Sequence, residues 1–125
     1  AGAFGQKHLD ALALIPDVKV VSVVGRELDK TQEVAARYGI AHATTELADS
    51  LRIAQLDAVI LATPTQMHAS QTLACLDAGK HVQVEIPLCD ALHDGQAVVQ
   101  RARETGLVAM CGHTRRFNPS HQWVR

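Results

Sequence analysis

Short β-branched and apolar runs alternate with helical stretches along almost the whole chain, and short turns join them. A strand–helix repeat of this kind specifies a parallel sheet covered by helices, because each strand must be carried back by a crossover helix before the next can pair alongside. Residues 6–14 read as a first helix, with Leu9, Leu12 and Ala13 on one face. A turn at Pro16 and Asp17 leads into the run 18–24, apolar enough for a strand buried on both faces. Helix 29–38 follows, with Gly39 at its end, then a short strand 40–43 and a helix 46–52 capped by Thr45. Strand 57–62, helix 67–78 ending at Gly79, strand 81–85, helix 90–105 ending at Gly106, and strand 107–111 complete the pattern. The fold class expected is α/β, a doubly wound parallel sheet of the Rossmann type.

Composition agrees. Hydrophobic residues are 47% of the 125 but aromatics only 3%, so the core must come from Val, Ile, Leu and Ala. A formal net charge of −1 argues against a nucleic-acid or membrane surface, and no apolar run approaches the ~18 residues of a membrane span. Cys75, Cys89 and Cys111 are odd in number and widely spaced, without a C-x-x-C, which reads as buried reduced thiols in a cytoplasmic protein. Seven histidines show no metal-ligand spacing, so no metal site is expected, and His81 reads as a packing residue.

In such sheets ligands sit beyond the carboxyl ends of the strands. Segments 2–5, 25–26, 63–68 and 85–87, with 112–118 near them, are therefore expected to converge. Ala1, Gly2, Ala3, Phe4 and Gly5 read as the tail of a G-x-G-x-x-G dinucleotide turn, Gly2 and Gly5 being its second and third glycines. A first strand is then expected ahead of Ala1, at the sheet centre in the order 3-2-1-4-5-6. Gly2 would let backbone approach a pyrophosphate, and the helix N-terminus would offer N–H groups to it. A chance helix-opening glycine is the alternative. After the run 18–24 stand Gly25 and Arg26, where an NAD site would carry an acid for the ribose 2′-hydroxyl. Gly25 leaves room and Arg26 offers a guanidinium fork, which favours NADP over NAD. An ordinary surface arginine is the alternative, with Glu27 the next acid in line.

Thr63, Pro64, Thr65 and His68 could line the nicotinamide end of a cofactor, or Thr65 could simply cap a helix over a packed His68. Glu85 and Pro87 close a strand; Glu85 points toward the cleft or is a solvated loop acid. The segment Gly112-His-Thr-Arg-Arg-Phe-Asn-Pro119 is dense in polar groups. Arg115, Arg116 and Asn118 suit an anionic substrate, or form a basic exit loop.

Taken together, GAFGQKHLDAL, DAVILATPTQMHASQTLACLDAGKHVQVEIP and GHTRRFNPSHQ resemble the glucose–fructose oxidoreductase / inositol dehydrogenase (Gfo/Idh/MocA) family over essentially the whole chain. The resemblance implies a two-domain NAD(P)-dependent oxidoreductase. Residues 1–118 would be its cofactor domain, and 119–125 the start of a connection to a C-terminal α/β domain that supplies substrate contacts and a homo-oligomer interface. The stretches PTQMHA, HVQVEIPL and GHTRRFNPSHQ look closest to a member that oxidises a carboxylated cyclic hemiacetal with NADP in lignin aromatic catabolism. Sugar, polyol or dihydrodiol dehydrogenation, and a non-catalytic NADP-binding regulator, are the alternatives. One departure stands out. Most members have Glu-Lys-Pro, with the lysine as proton relay, where this chain has Glu85-Ile86-Pro87. Ile86 accepts no proton, so the catalytic base is unassigned, with Glu85 and His113 as candidates.

Overall fold

A computed structural model describes residues 2–123; Ala1 of the glycine turn and the last two residues of the connection, Val124 and Arg125, lie outside the described residues. The chain divides into two compact units, Ala1–Asp57 and Ala58–Arg125.

The first unit holds α1 (Ala3–Leu12), β1 (Ser22–Val24), α2 (Leu28–Tyr38), β2 (His42–Thr44) and α3 (Leu47–Leu51). β1 and β2 pair in parallel, Val23 opposite Ala43. The core is Leu9 of α1, Val23 of β1, Val34 and Ala35 of α2, and Ile40. Leu9 buries its side chain as the apolar spacing expects, while α2 spends Asp29 and Lys30 on solvent. Arg37 donates to Gln6 (3.2 Å) and the Tyr38 hydroxyl to Asp10 (2.6 Å), tying α1 to α2. At the amino ends of β1 and β2, the Ser22 hydroxyl contacts both His42 Nδ1 (2.8 Å) and Ser50 Oγ (2.7 Å).

The second unit holds β3 (Ala58–Leu61), α4 (Thr65–Asp77), β4 (His81–Glu85), α5 (Leu92–Thr105), β5 (Ala109–Gly112), a 3-10 turn at Thr114–Phe117 and α6 (Pro119–Gln122). Its sheet runs β3-β4-β5, all parallel. Val82 and Val84 of β4, Leu61 of β3, Leu76 and Cys75 of α4 and Val98 of α5 are buried. α4 packs on β3, β4 and α5.

The expected elements are present, but the strands form two sheets rather than one. In the order 3-2-1-4-5-6 a strand ahead of the glycine turn joins the two halves; the described residues hold none before α1. Several bounds also move. The run 18–24 pairs only over Ser22–Val24, because β2 offers partners only there, and Val18 is exposed. α1 begins at Ala3, directly out of the glycine turn, and gives way near Pro16 to tighter turns from Leu14 to Ala11 and from Ile15 to Leu12. Neither threonine expected as a cap acts as one. Glu46 and Pro64 occupy the cap positions of α3 and α4, and Thr44 Oγ1, not Thr45, accepts the Glu46 N–H (3.1 Å) and donates to Asp49 (3.1 Å). Of the cysteines, Cys75 alone is fully buried. His81 is exposed, and its Nδ1 accepts the backbone N–H of Val108 (3.0 Å), steadying the approach to β5.

Candidate functional site

In the first unit, Gly2 is the N-cap of α1 with extended backbone, and its carbonyl accepts the Gln6 N–H (3.1 Å). Its φ of −70° does not demand glycine, and a Cβ built there meets no atom within 4 Å. Neither strain nor protein packing therefore accounts for glycine at this position, whereas a ligand drawn close to the backbone would. No side chain caps α1, so the N–H groups of its first turn, at Ala3, Phe4 and Gly5, face outward from a positive dipole end. The exposed Phe4 ring rests edge-on against His8 (centroids 5.5 Å), with Lys7 Nζ 5.9 Å from its centre. These features fit the diphosphate of a dinucleotide.

Beyond β1, Gly25 donates its N–H to the Thr44 carbonyl (3.0 Å), holding the turn that presents Arg26. Arg26 is exposed. Glu27, the competing acid, is engaged by Lys30 at 2.8 Å. That hydrogen bond and charge, with Arg26 contributing, hold the Glu27 carboxyl below its usual range. Both side chains are exposed, and the glutamate is paired with Lys30 of its own helix.

In the second unit, three turns stand at the carboxyl edge of one sheet. After β3, Thr63 donates its hydroxyl to Gln71 (2.7 Å). Pro64 is exposed, and Thr65 opens α4. His68 is buried, with Nδ1 2.7 Å from the Pro87 carbonyl and Nε2 2.8 Å from the Thr63 carbonyl. Both ring nitrogens are spent on backbone. His68 lies beneath the turns rather than on the ligand-facing surface where the sequence placed it, because its position in α4 points it into the sheet packing. After β4, Glu85 is buried while Ile86 is 47% exposed and Pro87 exposed. Glu85 is therefore no solvated loop acid. After β5, Gly112 pairs with Glu85 in register, and a Cβ on Gly112 would stand 3.0 Å from Glu85 Oε1 and 3.2 Å from Gln83 Nε2. Gly112 thus makes the space the Glu85 carboxylate fills. Burial first, and then the Glu85 charge, raise the neighbouring Cys111 thiol.

From His113 to Trp123 the exit segment is exposed. His113 lies with Nδ1 3.2 Å from the Cys111 carbonyl, at the rim. Asn118 caps α6, its Oδ1 accepting from the Ser120 N–H (3.0 Å) and hydroxyl (2.6 Å), which leaves its amide N–H groups for any ligand. Arg115 and Arg116 line a shallow cleft of about 220 Å³ with His121 and Gln122, and Gln122 is held by the Arg116 carbonyl (3.0 Å). Trp123, which follows Gln122 in the chain, is 89% exposed. Gln71, Gly112, His121 and Gln122 were not singled out from sequence. Only Gly112 left a signal, a glycine ending a strand where no turn geometry requires one. Among the described residues no cluster of three His, Cys, Asp or Glu could hold a metal, and no helix is long and apolar enough to cross a membrane.

Comparison with known proteins adds to this geometry. The profile of the Gfo/Idh/MocA group, described as an oxidoreductase family with an NAD-binding Rossmann fold, matches residues 1–113. Over 124 residues, 99% of this chain and 39% of the relative, the sequence is 58% identical to 4-carboxy-2-hydroxymuconate-6-semialdehyde dehydrogenase of Sphingobium sp. strain NBRC 103272 / SYK-6. It is 31% identical to scyllo-inositol 2-dehydrogenase (NAD(+)) of Bacillus subtilis over 96% of this chain and 35% of that one. Among solved structures, a 3-ketoreductase from Actinomadura kijaniata in complex with TDP-benzene and NADP superimposes with a TM-score of 0.85 at 29% identity, over 93% of this chain and 36% of its own. The chain thus spans little more than a third of the length of the relatives it matches.

Proposed function

Because this chain belongs to the Gfo/Idh/MocA oxidoreductase family, we propose that it forms the cofactor-binding part of an NADP-dependent dehydrogenase acting on 4-carboxy-2-hydroxymuconate-6-semialdehyde. The substrate reacts as its cyclic hemiacetal and yields 2-pyrone-4,6-dicarboxylate, a step of protocatechuate 4,5-cleavage in cytoplasmic aromatic catabolism. The observation that carries this reading is the 58% identity to a dehydrogenase named for that substrate.

The nicotinamide, when bound, supplies the hydride acceptor. The chain's residues do the rest. The α1 N–H groups at Ala3, Phe4 and Gly5 hold the diphosphate, and Gly2 lets it approach. Arg26 pairs with the 2′-phosphate, which favours NADP over NAD. Thr63, Pro64, Thr65 and Pro87 shape the nicotinamide end, and Glu85 fixes the edge of that wall. Arg115, Arg116 and the Asn118 amide hold substrate carboxylates. The hemiacetal hydroxyl loses its proton to a base while the carbon loses hydride. Ile86 cannot be that base. A hemiacetal hydroxyl is more acidic than a sugar alcohol and needs less help, which is consistent with isoleucine in the lysine's place. Glu85 and His113 are the candidates within this chain, and the C-terminal domain, which would also carry the homo-oligomer interface, is the other source.

The test uses the protein at its full encoded length. NADP reduction is followed with the ring-fission semialdehyde, and in parallel with inositols and aldoses. Turnover confined to the semialdehyde is expected. Turnover confined to a polyol would establish the second reading, which the inositol dehydrogenase relatives favour. Tight NADP binding with no turnover on any substrate would point to a regulator.

A further inference from the structure

His68 is the one buried polar side chain of the 63–68 segment, and the cofactor reading leaves it without a task. It lies in the first turns of α4 and is 1% exposed. Its two ring nitrogens face two carbonyl oxygens, that of Pro87 at 2.7 Å and that of Thr63 at 2.8 Å. A carbonyl oxygen only accepts. A neutral imidazole has one N–H and one lone pair, so it satisfies one of these oxygens and aims a lone pair at the other. Both contacts are good hydrogen bonds only when both nitrogens carry hydrogen. We propose that His68 works as an imidazolium clamp, a doubly donating ring that pins the turn after β3 to the turn after β4 and so positions Thr63, Pro64 and Thr65 against Glu85 and Pro87.

Burying a charge is costly unless it is hydrogen-bonded, and two charge-assisted bonds to carbonyl dipoles supply that compensation. The α4 N-terminus opposes a cation there. The elements packed on α4 add little of either sign. β3 has no ionisable residue. β4 carries exposed His81 at its far end and the buried acid Glu85 at the near one. On α5, His93 pairs with Asp94, Arg101 with Asp77 of α4 and with Glu104, and Arg103 is exposed. Glu85 is thus the one acid on the strands at the His68 end of the sheet, with Asp90 and Asp94 following it in the connection to α5 and its first turn.

The link from clamp to cofactor rests on the function proposed above; the protonation of the ring does not. The test therefore has two arms on the protein at its full encoded length. With 15N-labelled histidine, a long-range proton–nitrogen spectrum at pH 7.5 should show both His68 ring nitrogens in the protonated range, assigned by their loss in His68→Gln. One unprotonated nitrogen would overturn the imidazolium. In the second arm, His68→Gln, which keeps one donor, and His68→Phe, which keeps none, are compared for cofactor KM and kcat. An order-of-magnitude loss in kcat/KM for NADP is expected in His68→Phe, smaller in His68→Gln, measured well below each variant's own melting temperature. Unchanged kinetics in both would overturn positioning. If one variant fails to fold, the other supplies the assignment, and the spectrum of the parent protein decides the protonation. A parent protein that binds neither NADP nor NAD would sink the cofactor reading, and the spectral result would be untouched.

Discussion

Arg26 and Glu27 sit side by side with opposite fates, and the difference is Lys30. Lys30 holds the exposed Glu27 carboxylate at 2.8 Å, so the acid of this turn is already paired with a cation, and Arg26 is exposed beside it. Arg26→Ala should weaken NADP binding by about 1.5–3 kcal/mol, as expected for a lost charged hydrogen bond, and leave NAD binding nearly unchanged. Titration of the full-length protein with both cofactors checks it; equal losses would make Arg26 structural. Ile86→Lys probes the departure from the family's lysine. If the hemiacetal needs no relay at this position, kcat with the semialdehyde should not rise. A gain in the roughly 10²–10⁴-fold range of general acid–base catalysis would show that the site still uses a lysine. Cys75 offers a third test. Burial pushes its thiol up to about 11 from 9.0. The thiolate is the reactive form, so iodoacetamide at pH 8 should modify Cys89 and Cys111, both partly exposed, well before Cys75, as read by peptide mass. The folded state keeps this proton longer than the unfolded chain does. Its contribution to stability is thus whole below about pH 9 and is lost as pH rises toward 11. Early labelling of Cys75 would contradict this.

Elements were legible where chemistry bounds them at both ends. β4 runs His81–Glu85 as expected, with a left-handed Gly79 before it and Pro87 after it. α2 and α5 end as expected, at Gly39 and Gly106, whose φ of 66° and 68° suits glycine best. Gly106→Ala should therefore cost about 1–2 kcal/mol, seen as a lower denaturant midpoint with unchanged slope. A neutral result would mean the helix end relaxes. Legibility failed where a partner decides. Val18 has strand propensity equal to that of Val23, yet nothing pairs with it. Thr45 and Thr65 look like caps, but the backbone places Glu46 and Pro64 there. The candidate site behaved alike. The turns were visible because glycine, proline and arginine mark them. The burial of His68 and the fit of Gly112 against Glu85 depend on contacts between distant segments, which no local pattern encodes.

At the scale of the whole molecule, two units carry two separate sheets, each with open edges. Cores of this size are marginal, and large apolar side chains such as Leu14 in the first unit and Val108 and Met110 in the second are exposed. The 125-residue chain expressed by itself should melt broadly or self-associate, as calorimetry and light scattering would show. A single sharp transition of a monomer would refute this. Among optical probes, circular dichroism rather than tryptophan fluorescence would follow such a melt. The chain's one indole, Trp123, already faces water in the native state. Its emission should be red-shifted before any heating and nearly silent through denaturation.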